Sequence, residues 1–66
     1  MIWKITYFSD REQTHRTRTV YTRAQTGEDA STIAAQHMAD GEVSADITRA
    51  VFGSGLEPGP MVAPKI

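Results

Sequence analysis

A chain of 66 residues makes one domain, and a domain this small buries only about 60% of the surface its unfolded chain exposes. It has no Cys, which excludes disulfides and thiolate-bound metals as staples. Its formal charge of −1 and pI near 6.0 argue against a general phosphate-binding protein.

The charge is unevenly spread. Residues 1–24 carry Lys4, Arg11, Arg16, Arg18 and Arg23 against Asp10 and Glu12, a net of +3. Residues 25–66 carry a net of −4. The basic half can steer a charged partner. A mixed, solvated surface is the plainer reading of the same asymmetry. No apolar run approaches the roughly 18 residues of a membrane span. Nor does a leader of the charged-then-apolar kind open at Met1. A cytoplasmic protein without a membrane segment is expected.

Ile2 to Phe8, IWKITYF, alternates like a strand, with Trp3, Ile5 and Tyr7 on one face and Lys4 and Thr6 on the other. Ser9 to His15 is polar and turn-prone, a hairpin loop. Arg16 to Ala24, RTRTVYTRA, is a second strand rich in Thr. Two registers compete for it. Turning Val20, Thr22 and Ala24 inward, with Arg18 near the start of the strand, keeps Arg23 out of the core and is preferred. One sheet face then carries Trp3, Ile5, Tyr7, Val20 and Ala24. The other shows Ile2, Lys4, Thr6, Phe8, Thr17, Thr19, Tyr21 and Arg23.

Thr26 to Gly41, TGEDASTIAAQHMADG, reads as the helix. Thr26 is an N-cap, with Asp29 placed to reach back as in a capping box. Glu28 and Asp29 suit the positive end of the dipole. Ala30, Ile33, Ala34, His37 and Met38 share one face, and Gly41 offers a left-handed stop. Residues 42–52, EVSADITRAVF, fit either a third strand or a second helix started by Ser44. The strand is preferred, because two strands make a poor platform for a helix. Residues 53–66 hold three of the five Gly and all three Pro. That composition gives an extended or flexible arm, whose Leu56, Met61, Val62 and Ile66 are free to pack back on the sheet or onto a partner. The division expected is a domain over 1–53 and an arm over 54–66.

Chemistry is hard to find. His37 lies on the apolar stripe, where a histidine bonded to a backbone carbonyl or water is the ordinary reading and a general base the less ordinary one. His15 and the carboxylates show no metal-ligand spacing. No serine sits in a nucleophile elbow. Catalytic residues, metal sites and cofactors are therefore expected to be absent.

The outer sheet face is richer. Lys4, Phe8, Tyr21 and Arg23 combine aromatic and basic groups, the usual anchors of protein interfaces. Ile2 and Phe52 extend the apolar centre. The expectation is a protein-binding surface, with a homodimer as one way to cover a bare sheet. Nucleic-acid binding through Arg16, Arg18 and Arg23 is the alternative.

The succession WKITYF, RTRTVYTRAQT, a capped helix with AxxIAAxHM, then ITRAVFG resembles the small β-β-α-β accessory proteins encoded by bacteriophages. The likeness spans residues 1–53 and rests on element order. Some of those proteins bind and inhibit a host protein, so the resemblance implies a modulator acting in the host cytoplasm. The fold expected is α+β: one helix on a three-stranded, mainly antiparallel sheet, followed by a Pro/Gly-rich C-terminal tail.

Overall fold

The computed structural model describes residues 1–50 and 59–65. Four strands and one helix follow in the order β1 (Ile2–Phe8), β2 (Arg16–Arg23), α1 (Gly27–Gln36), β3 (Ser44–Arg49) and β4 (Met61–Val62). The sheet order is β3-β1-β2-β4. β1 is antiparallel to both its neighbours, and β4 runs parallel to β2.

The alternation in β1 explains its central place. Ile5 and Tyr7 are fully buried on the helix side, and each is flanked by an apolar or small residue. Ile5 lies between Val20 and Ile47, and Tyr7 between Arg18 and Ala45. Paired residues share a face, so Val20 and Thr22 point inward. This is the preferred register of β2, and Thr22 is fully buried, its hydroxyl donating to Val62 O at 2.9 Å. The core is Ile5, Tyr7, Val20 and Ala34, with Ala45, Ile47 and Val62 packed against it. Trp3 and Ala24, expected inside, are only half-buried. The indole N–H of Trp3 donates to Ala24 O at 3.1 Å, which keeps that edge near the surface.

Thr26 caps α1 as expected, its hydroxyl accepting from Asp29 N at 3.2 Å. Ala30, Ile33 and Ala34 are buried. The helix does not run to Gly41. It stops at Gln36, with His37 as C-cap, and Met38 is 38% exposed. Two bonds explain the early stop. The Arg18 guanidinium takes His37 O, one of the carbonyls a helix end leaves without an internal partner. A tight turn then closes through Glu42 N to Ala39 O at 3.0 Å, with Gly41 at φ +89°, a backbone conformation glycine adopts without steric cost.

Residues 44–49 form a strand, in line with the sequence reading; Val51 and Phe52 lie outside the described residues. Among the described residues the sheet has four strands, not three; its two long pairings are antiparallel, as expected, and the two-residue pairing of β4 with β2 is parallel, which makes the sheet mixed. The arm supplies the fourth. Pro60 O accepts from Tyr21 N at 2.8 Å, docking the arm on the C-terminal part of β2 without requiring the N–H that proline lacks. The residues beyond β4 lie along the helix. His37 Nε2 donates to Ala63 O at 2.6 Å, and Lys65 N donates to Gln36 Oε1 at 2.8 Å.

Candidate binding surface

Two polar constellations stand out, one on each side of the sheet. The inner one was not foreseen. A β-bulge sits between Tyr7 and Phe8, which pair with Arg18 and Arg16 and leave Thr17 extra. A bulge re-aims side chains, and here two successive residues reach the same carboxylate. Glu42, with its side chain only 5% exposed, accepts from Arg18 Nε at 3.0 Å and Arg18 Nη2 at 3.2 Å. It also accepts from Ala39 N at 2.8 Å and from the Thr17 hydroxyl. The same guanidinium lies 4.4 Å from the centroid of the Tyr7 ring, a cation–π distance. Tyr7 in turn donates its hydroxyl proton to Ala34 O at 2.7 Å.

The electrostatics follow. Burial pushes the Glu42 carboxyl up, but the hydrogen bonds from Arg18, Thr17 and the Ala39 backbone outweigh it and hold the group down to about 2. Burial pushes the Tyr7 phenol up, against the nearby Arg18 cation. Hydrogen bonding to Glu42 raises Arg18 further. In the hairpin loop, bonds from the Thr14 hydroxyl and from the backbone of His15 and Thr14 hold Asp10 well below the usual carboxylate range, against the effect of desolvation. These groups tie loops and helix to the sheet. No free acid–base pair faces a cleft among them.

On the outer side, the four residues singled out from sequence share one sheet face. Lys4 is opposite Tyr21, Arg23 is opposite Ile2, and Phe8 lies at the far end opposite Arg16. Lys4, Arg16 and Arg23 are exposed, while Ile2, Phe8 and Tyr21 are half-buried. Met61 joins this face beside Tyr21. The Tyr21 ring is held close to the arm: a Cβ at Gly59, which has φ +113°, would lie 3.3 Å from it. On β3 the same face carries Ser44, Asp46 and Thr48. Among the described residues the ion pairs are His15–Asp10 and Arg18–Glu42, so the three outer cations form none.

The three arginines of the nucleic-acid alternative do not form one patch. Arg18 turns to the inner face and is engaged by Glu42. Arg16 and Arg23 remain on the outer face, roughly 23 Å apart along the strand. His37 is the ordinary case of a histidine on a backbone carbonyl. Among the described residues no group of three His, Cys, Asp or Glu could hold a metal ion. No described helix is long and apolar enough to cross a membrane.

Sequence reading missed the clefts at the end of β2. One, of about 350 Å³, lies between the helix and the arm, floored by Ala24 and Ile33 and walled by Gln36 and Pro64. The other, of about 260 Å³, runs along Thr22 and Met61 to Pro64. Arg23 lines both. No motif marks them, because their lining combines β2 with residues of the arm far away in sequence.

No family model, no curated protein and no solved structure matches this chain.

Proposed function

We propose that this protein is a small non-catalytic protein-binding module that engages its partner through the outer sheet face. The observation that carries the reading is the position of Arg23. It stands where that face meets two clefts, exposed and outside any ion pair among the described residues. An arginine beside apolar concavities, with Tyr21 and Lys4 next to it, is the arrangement in which protein interfaces concentrate their binding energy. The resemblance to phage accessory proteins suggests a host protein as partner and modulation or inhibition as the outcome.

Affinity capture from a bacterial lysate, repeated at rising salt, tests this. One protein retained at high salt by the wild type, and lost with Arg23→Glu, is the expected result. Retention of nucleic acid that weakens steeply with salt points instead to a phosphate-binding face built on Arg16 and Arg23.

A further inference from the structure

Among the described residues β3 is an outermost strand of the sheet along its whole length, whereas β4 pairs with Tyr21 and Thr22 on the outer edge of β2. Ala50 N donates to Ile2 O at 2.9 Å, which fixes the phase of the ladder. Backbone groups alternate in direction along an antiparallel strand. Ser44, Asp46 and Thr48 therefore face β1, while Ala45, Ile47 and Arg49 turn their N–H and C=O groups away from the sheet. No proline or lysine interrupts Ser44–Arg49, and these are the residues that commonly guard an edge.

We propose that a second copy of this chain pairs with this edge, antiparallel, about a twofold axis at Ile47. The strand is complementary to itself in that register. Ile47 meets Ile47, and Ala45 meets Arg49. All of these residues have their backbone groups pointing outward, so the ladder closes without rotating a strand. On the outer face Asp46 lies opposite Thr48. No like charges stand directly opposed, an arrangement that would be destabilising. Moving the pairing two residues toward the C-terminus sets Arg49 against itself. Moving it two residues the other way shortens the overlap, because the chain turns at Gly41 and Glu42. Moving the axis one residue toward the N-terminus sets Asp46 against itself, and moving it one residue toward the C-terminus pairs Ile47 with Arg49 and leaves Asp46 opposite Ala50, a register in which a carboxylate at position 48 would meet its own copy. The resulting dimer has one continuous eight-stranded sheet, both helices on one side and both outer faces on the other. It leaves the proposed binding face open and presents it twice, in fixed relation.

Sedimentation over a concentration series tests the pairing and its register, with circular dichroism to check that each variant folds. Wild type is expected to pass from monomer to dimer as concentration rises. Thr48→Glu sets a new carboxylate opposite Asp46 at two symmetric places, while within one copy it lies beside Lys4, which offsets its nearness to Asp46 on the same strand face. It weakens the dimer by roughly fivefold. Adding Asp46→Lys converts both repulsions to attractions and restores dimerisation to at least the wild-type level. Arg49→Pro, which removes an outward N–H, weakens the dimer as well. A wild-type chain and a double variant that both stay monomeric at the highest concentration overturn the proposal. So does a dimer whose affinity ignores the Thr48 and Asp46 charges.

Discussion

At the scale of residues, Glu42 is the group on which most depends. It gathers donors from β2 and from the turn after the helix, joining parts of the chain 24 residues apart. Replacing it with Gln keeps the shape and removes the charge. The Arg18 guanidinium then loses its counter-ion and Ala39 N its best acceptor. Hydrogen bonds to charged groups contribute about 1.5–3 kcal/mol each way, and Arg18 is partly solvated, so a loss of about 2 kcal/mol is expected in urea unfolding. The pH dependence has a definite sign. The native carboxyl sits at about 2 against an ordinary 4.5, so its stabilisation is complete above about 4.5 and disappears as pH falls toward about 2. The difference in stability between wild type and Glu42→Gln should shrink over that window, and a constant difference would contradict the assignment. Tyr7→Phe removes the bond to Ala34 O and should cost about 1 kcal/mol, a fall in Tm of roughly 4–8 °C for a domain of this size. None of these partnerships was legible in the sequence. Sequence reading put Arg18 near the start of β2 and among the nucleic-acid candidates, whereas the structure turns it inward to Glu42. Nothing local indicated which of eight carboxylates would be its counter-ion.

Elements were more legible where their signals are local. The cap at Thr26 and the apolar positions Ala30, Ile33 and Ala34 stand as the sequence implied, and Thr26→Ala should cost about 1 kcal/mol of stability. The helix end was misplaced because Gly41 is a good stop signal in any context, and here it serves the turn that brings Glu42 home. The alternation of β1 gave the inner face, and keeping Arg23 out of the core gave the register of β2. β4 was the hardest element to foresee. A strand of two residues, Met61 and Val62, has no periodicity to read, and its strand state comes from the acceptor Pro60 O and from the Thr22 hydroxyl. Val62 packs against the core, so Val62→Asp buries a charge without a partner. It should lower stability by about 2 kcal/mol and raise hydrogen exchange at Tyr21 N. Unchanged exchange at that amide would mean that the arm contributes nothing to holding the edge.

Across the whole molecule, the two sheet faces use their polar groups differently. The inner face spends its polar groups internally, on Glu42, Ala34 O and Val62 O. The outer face keeps Lys4, Arg16 and Arg23 clear of ion pairs among the described residues. That separation was visible in sequence as a period of two, because a strand sends alternate side chains to opposite sides. The clefts beside Arg23 and the self-complementary edge of β3 were not visible, since both depend on which strands become neighbours. The identity of the proposed partner leaves no local signal, since an interface is built from side chains that folding assembles. Site-specific photo-crosslinking in a bacterial lysate tests whether the outer face is the binding surface. A photoreactive residue at Lys4, in the middle of the outer face, should capture the same protein partner in every preparation. The same residue at Ser31, exposed on the helix, should capture none. Capture from Ser31 with none from Lys4 would contradict the account.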